Sequence, residues 1–367
     1  MSTITTVAEN TLEQNKPSKK KPIFAVSADL RSYLKKHGRE VKLPVSYKDL
    51  LRISYSTPVL DQAGKDTFWE QAFYDTKDFD FLREGLVIIY AILKTEGDLR
   101  FTNQLDIDRI DYCPFGNSNP FRIRIINKFN KNYDYFYIKK TDATRVYGLE
   151  LEHTLSPNRI IFYTCFETLV EEHVPGVPGD IFIKKYLNDS ETNKVRFAKE
   201  FVKFNERCFV RLLGDMRSYN FVVHIIPDIE DYQYRIRAID FDQQSYEGRK
   251  NLYLPQFFKE NVPLVSLTMH MLNRESIEQY QSEERNAMAL RVVSSRFKLM
   301  ELFNIMCKEK LSSDEKVKQL TAELASFFGN AQFLKCKSMG DIVKTNLKET
   351  LRKNLLLVQT ARGNITD

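Results

Sequence analysis

Seven residues, Gly214-Asp215-Met216-Arg217-Ser218-Tyr219-Asn220, stand between two β-rich stretches, and Ile239-Asp240-Phe241-Asp242 follows the second of the next two. No other part of the chain restricts its fold as tightly. Phe221 to Ile226 and Tyr234 to Ile239 read as strands, and the turn-rich Pro227-Asp228-Ile229-Glu230-Asp231 joins them into a hairpin. A tight loop entering such a hairpin holds Asp215 and Asn220 on one side, and the hairpin returns Asp240 beside them. Singly, each of these residues is an ordinary choice for capping a turn or ending a strand. Together they supply a carboxylate for an attacking hydroxyl and oxygen ligands for a divalent cation, the groups that phosphoryl transfer requires.

The rest of the chain sets the frame for that loop. Its 367 residues, 43% hydrophobic, exceed the usual single-domain length and predict two lobes or a core with an extension. The formal net charge of +6 owes much to Lys16, Lys19, Lys20 and Lys21, so it argues poorly for nucleic acid. Residues 1–43 are polar and lysine-rich and predict a loose tail, with a short helix open around Phe24 to His37. Residues 44–104 read as a helical extension. The capping pattern Ser46-Tyr47-Lys48-Asp49 and the apolar run Phe79 to Leu93 carry that reading, with Trp69 and Phe73 as packing residues.

From Leu105 the pattern turns to strands. Phe121, Ile123 and Ile125 alternate with Arg122 and Arg124, and Tyr133 to Lys140 returns after Asn130-Lys131-Asn132. Thr141-Asp142 caps a helix from Ala143 to about Leu155, and Arg159 to Val174 is β-rich before Pro175-Gly176. Beyond Pro178 helices dominate, with Val195, Ala198, Val202, Asn205 and Phe209 along one stripe.

The spacing Asp215-x-x-x-x-Asn220 followed by Asp240-Phe241-Asp242 resembles the catalytic and metal-binding loops of the protein-kinase-like superfamily. The glycine before the Asp and the Asp-Phe-Asp step look most like its aminoglycoside phosphotransferase and choline kinase branch. The resemblance implies an α+β, two-lobed protein-kinase-like fold: an N-terminal extension over 44–104, a small β-rich lobe over 105–174 and a larger, mainly helical lobe over 175–367. It further implies ATP and Mg2+ as cofactors. Asp215 would take or orient the substrate proton, Arg217 would neutralise the transferring phosphate, and Asn220 and Asp240 would bind magnesium, with Asp242 adding to the metal shell.

Upstream, Phe136-Tyr137-Ile138-Lys139 resembles the small-lobe V-A-I-K, which makes Lys139 the contact to the α and β phosphates; Lys140 is the alternative. Tyr137 departs from the small residue expected there. Glu152, in Glu152-His153-Thr154-Leu155, is the implied partner of Lys139, with Glu150 as competitor. Leu169-Val170-Glu171-Glu172-His173-Val174-Pro175-Gly176 resembles the inter-lobe linker, and backbone groups from Glu172 to Val174 would meet adenine. Gly116, in an Asn- and Pro-rich loop, would cradle phosphates or simply turn a hairpin. Leu213 stands where the family places a histidine.

Other chemistries lack support. The five histidines form no H-E-x-x-H pair, the five cysteines no C-x-x-C, and no G-x-S-x-G, Walker or dinucleotide glycine motif occurs. The longest apolar run, Leu86 to Leu93, is too short to span a bilayer. The start of the chain does not read as a secretory signal, which with the scattered cysteines predicts a cytoplasmic protein. The expected activity is phosphotransfer to a hydroxyl group, of a small molecule, without membrane or nucleic-acid partners. The alternative is a catalytically degenerate, pseudokinase-like protein that binds nucleotide or serves interaction.

Overall fold

The computed structural model describes residues 21–363 apart from 62 and 230. Lys16, Lys19 and Lys20 of the basic run, and Glu230 of the hairpin turn, lie outside the described residues. The fold is α+β. Contacts divide the chain into two units, and the division runs differently from the boundaries at 43, 104 and 174. Of the described residues, the first unit comprises 21–24, Val41–Thr141 and Tyr163–Glu171; the second comprises Ala25–Glu40, Asp142–Phe162 and 172–363.

The first unit is built on a seven-stranded sheet in the order β1-β2-β3-β4-β5-β7-β6. The strands are β1 (Tyr55–Leu60), β2 (Asp66–Phe73), β3 (Leu105–Tyr112), β4 (Phe121–Asn127), β5 (Tyr133–Lys140), β6 (Phe162–Cys165) and β7 (Thr168–Glu172). Strands β1 to β5 pair antiparallel in succession. Alternation decides the faces: Phe121, Ile123, Ile125, Phe136 and Ile138 are buried on one side. Helix α3 (Thr76–Thr95) carries a buried stripe of Leu82, Leu86, Ile89 and Leu93, at the 3–4 spacing that makes one helical face. It approaches so closely that a Cβ on Gly85 would sit 2.3 Å from the Val45 side chain.

The opposite face is polar. Arg109 and Arg122 hold the fully buried Asp111 at 2.8 and 2.7 Å, and the Arg122 guanidinium lies 4.5 Å from the Trp69 ring centroid. The expected extension is therefore only partly helical. It keeps the capped turn α2 (Tyr47–Leu50) and α3, but the chain between them is the β1–β2 hairpin, and Trp69 and Phe73 are sheet residues.

The second unit is mainly helical around a three-stranded sheet, β10-β9-β8. Its strands are β8 (Val177–Pro178), β9 (Phe221–Pro227) and β10 (Tyr232–Ala238), so the expected hairpin is present, with Phe221 opposite Ala238 and His224 opposite Arg235. The region expected to be a loose tail contributes a helix here, α1 (Ala28–Lys36), capped by Ser27 and burying Leu30, Tyr33 and Leu34. Helix α4 (Ala143–Leu155) begins at its Asp142 cap as expected. After α5 (Gly179–Lys185) comes α6 (Lys194–Arg211), whose buried side is wider than the predicted stripe. Phe197, Phe201 and Phe204 join Ala198 and Val202, while Val195 is exposed. Each fully buried Phe contributes roughly 1.5–3 kcal/mol.

The remaining helices are α7 (Val262–Met271), α8 (Arg274–Ser294), α9 (Arg296–Met306), α10 (Asp314–Phe328), α11 (Met339–Thr350) and α12 (Arg352–Gly363). Among the described residues no helix is long and apolar enough to cross a membrane. The five cysteines form no disulfide.

Candidate functional site

Helix α6 ends at Leu212, in the left-handed region at φ 54°, and the chain enters the acidic loop. The fully buried Leu213 bridges to Gln244. Gly214 and Asp215 donate backbone hydrogen bonds to the carbonyls of Gln243 (3.2 Å) and Leu252 (3.1 Å). A Cβ on Gly214 would lie 3.1 and 3.3 Å from those carbonyl oxygens, which explains why the position is glycine. Asp215 itself sits at φ 56°, a conformation that costs an ordinary residue of order 1 kcal/mol and that the loop's hydrogen bonds enforce.

The loop brings Asp215, Arg217 and Asn220 together. Arg217 Nε donates to Asp215 Oδ1 at 2.7 Å, and Arg217 also pairs with Glu260 Oε1 at 2.8 Å. Asn220 Nδ2 donates to the Asp215 carbonyl at 2.7 Å, which leaves its amide oxygen as the acceptor for a cation. Burial pushes the Asp215 carboxyl above its ordinary value; Arg217 opposes this, and Glu260 and Glu247 add to it. Asn261, fully buried, braces the loop by donating to the carbonyls of Met216 and Pro255, each at 2.8 Å.

Asp240 is delivered by the hairpin. Ile239 donates its N–H to the Asn220 carbonyl at 3.0 Å, closing the two strand ends on each other. Burial raises the Tyr219 hydroxyl to about 12, Arg217 opposes the rise, and Asp215, Glu260 and Asp240 all reinforce it. Asp240 is the next residue after Ile239, so its side chain leaves the chain one position beyond the strand end tied to Asn220.

A cation is already present at the Asp-Phe-Asp step. Arg145, from the first turn of α4 and only 2% exposed, meets Asp240 Oδ1 at 2.9 Å and Asp242 Oδ1 at 2.8 Å. Helix α4 lies directly on this segment, since a Cβ on Gly148 would touch Phe241 and Gln244 at 3.0 and 3.1 Å. A magnesium ion needs only one or two carboxylates beside phosphate oxygens, so Asp240 with the Asn220 amide oxygen is an adequate donor pair. Asp242 is largely buried against Arg145 and is a poorer ligand. Among the described residues no three His, Cys, Asp or Glu side chains gather into a metal group.

In the first unit Lys139 is buried and pairs with Glu171 Oε2 at 2.8 Å, its ammonium 5.4 Å from the Tyr137 ring centroid. Lys140, on the other strand face, is exposed. Within the first unit the acid beside Lys139 is Glu171, and within the second Glu152 meets Arg211. The competitor Glu150 is held by Arg39 at 3.3 Å, by Lys298 and by the Tyr33 hydroxyl at 3.0 Å. The physical reason is burial: α4 is enclosed almost all round, so each of its acids requires its own counter-ion.

Glu172 accepts from the Ile161 N–H at 2.8 Å, and Val174 is buried. Past them, Gly176 approaches Val222, and Val177 pairs with Val223. The Gly116 loop is a self-braced hairpin turn, with Cys113 N–H to Pro120 O at 3.0 Å and Asn119 N–H to Gly116 O at 3.1 Å.

Sequence reasoning missed Arg145, Glu171, Glu260 and Asn261. For Arg145 a signal existed: a cation among Ala143, Val146 and Leu149 on a helix must be paired if that helix is buried. Glu260 and Asn261 carry no local pattern.

No protein-family model matches the sequence, and comparison with curated proteins gives no match. Among solved structures the chain is similar to the autoinhibited serine kinase domain of the giant muscle protein titin. The alignment is 14% identical, covers 68% of this chain and 80% of that one, and has a TM-score of 0.26.

Proposed function

We propose that this chain is an ATP- and magnesium-dependent phosphotransferase of protein-kinase-like fold, acting on a hydroxyl group of a small molecule. The observation that carries the reading is the Asp215–Arg217–Asn220 cluster at the mouth of a hairpin that ends in Asp240. Asp215 takes the hydroxyl proton: a buried carboxylate with a raised pKa is a better general base near neutrality than an exposed one. Arg217, tied between Asp215 and Glu260, keeps Asp215 oriented and offers positive charge to a phosphoryl group. Asn220 and Asp240 would hold magnesium, which supplies charge neutralisation on the phosphates. Lys139, steadied by Glu171, is the proposed contact to the α and β phosphates, and backbone groups from Glu172 to Val174 the proposed contact to adenine.

A second reading, nucleotide binding without turnover, is favoured by one observation: the Arg145 guanidinium rests on the carboxylate that the metal requires. Calorimetry with Mg-ATP beside an ATP turnover assay separates the two. Binding with turnover that Asp215→Asn abolishes supports the first; binding without turnover supports the second; no binding refutes both.

A further inference from the structure

Apart from the acidic loop, the second unit carries an open cleft of about 430 Å³ walled by α6, α8, β10 and the Pro157–Asn158 turn, with Arg235 exposed at its rim. Six cations line it, Arg196, Lys199, Lys203, Arg207, Arg235 and Arg291, against the carboxylates of Glu200 and Glu284. Both carboxylates are already engaged. Buried Arg207 pairs with Glu200 Oε1 at 2.6 Å and Glu284 Oε2 at 3.3 Å, and Glu200 also accepts from the Ile236 N–H at 3.0 Å. One guanidinium against two carboxylates leaves a single negative charge in the wall, and the five other cations that line the cleft outnumber it.

The surplus is only partly answered at the edge. Lys203 and Lys199 share Glu283, at 2.7 and 3.7 Å, and Arg196 meets the half-exposed Asp228 at 3.3 Å. Arg235 and Arg291 make no ion pair among the described residues; Arg291 only donates to the Ala287 carbonyl of its own helix, at 3.2 Å. Burial holds the Arg291 guanidinium below its ordinary value, and Arg207 and Arg159 push it the same way against Glu284. Like charges gathered in a concave wall focus a positive potential there.

We propose that this cleft binds a small polyanion bearing at least two phosphate groups, gripped chiefly by Arg235 and Arg291. Guanidinium forks match phosphate oxygens two at a time. The volume falls within the range of about 300–1,000 Å³ typical of small-ligand sites. Asp228 and Glu283 at the edge disfavour an extended nucleic-acid backbone running past it. The site is separate from the acidic loop: Arg235 lies opposite His224, four residues along β9 from Asn220, roughly 13 Å at the usual strand rise.

The test is calorimetry on the full chain in magnesium-free buffer at physiological ionic strength, with sodium tripolyphosphate as the free probe. A second arm uses phosphatidylcholine vesicles doped with a phosphatidylinositol bisphosphate. The variants are Arg235→Ser/Arg291→Ser and a charge-matched control, Lys65→Ser/Lys335→Ser, at exposed positions. The expected result is saturable binding weakened about tenfold or more in the arginine pair and unchanged in the control. Binding of tripolyphosphate identifies a free phosphate compound; binding of the vesicles alone identifies a lipid headgroup. Should the serine pair fail to fold, Arg235→Lys/Arg291→Lys keeps the charge, loses the fork and is expected to bind several-fold more weakly. Equal affinities in wild type and arginine variants, equal losses in both pairs, or no saturable binding in either arm overturn the proposal. So does binding of a single-stranded oligonucleotide when neither small probe binds.

Discussion

Asp215 concentrates the account at the scale of one side chain. Its carboxyl is raised above its ordinary value because burial, with Glu260 and Glu247, disfavours the charged form more than Arg217 favours it. A general base must be ionised to work, so turnover rises with pH through that elevated range; a pH–rate profile in which the acidic limb lies at an ordinary Asp value would contradict the assignment. The sign for stability is opposite. Between the unfolded and the raised folded pKa the native state holds the extra proton, so deprotonation there destabilises the fold, and Asp215→Asn is expected to melt no lower than wild type at neutral pH. His153 works the other way: burial, with Arg39, lowers it from 6.5 to about 4. The unfolded chain takes up that proton first, so stability falls as pH drops from about 6.5 towards 4, and His153→Gln should flatten that part of a melting-temperature profile. Arg145 is the residue that decides between turnover and mere binding. Arg145→Met is expected to lower the magnesium concentration needed for half-maximal ATP binding; a higher requirement would mean that Arg145 organises Asp240 rather than competing for it.

At the scale of elements, legibility followed local pattern. The β4–β5 hairpin could be read from its alternation, the β9–β10 hairpin from its turn, and helix α4 from its Asp142 cap. The β1–β2 hairpin could not. Strand β1 is exposed along almost its whole length, sits at the sheet edge and contains Pro58, so it shows no inward–outward alternation. Helix α1 was obscured by its lysines, though Leu30, Tyr33 and Leu34 keep the spacing of a buried face. The counter-ions were the least readable feature, because Lys139–Glu171 and Arg211–Glu152 are chosen by packing between distant segments and leave no sequence period. That choice has a measurable cost. Removing one partner of the buried Arg211–Glu152 pair, as in Glu152→Ala, should destabilise the protein by about 3–5 kcal/mol in denaturant unfolding, while Arg211→Met/Glu152→Leu should recover most of the loss. Equal losses in the single and double variants would show that the pair is not an interacting unit.

For the whole molecule, the sequence order predicts Asp215, Asn220 and Asp240 near one hairpin end, where Ile239 bonds to Asn220, but the guanidinium beside Asp240 arises only when α4 folds onto Phe241. A ligand that binds only the folded chain stabilises it by mass action, by about 2.7 kcal/mol at a hundred times its dissociation constant. Mg-ATP should therefore raise the melting temperature of the wild type, and Asp240→Ala should lose the magnesium-dependent part of the rise. The most direct test is magnesium-dependent ATP turnover by wild type and Asp215→Asn under conditions where both bind Mg-ATP. The account predicts a fall of roughly 10²–10⁴-fold in kcat with nucleotide affinity retained. Undiminished turnover in Asp215→Asn would contradict it.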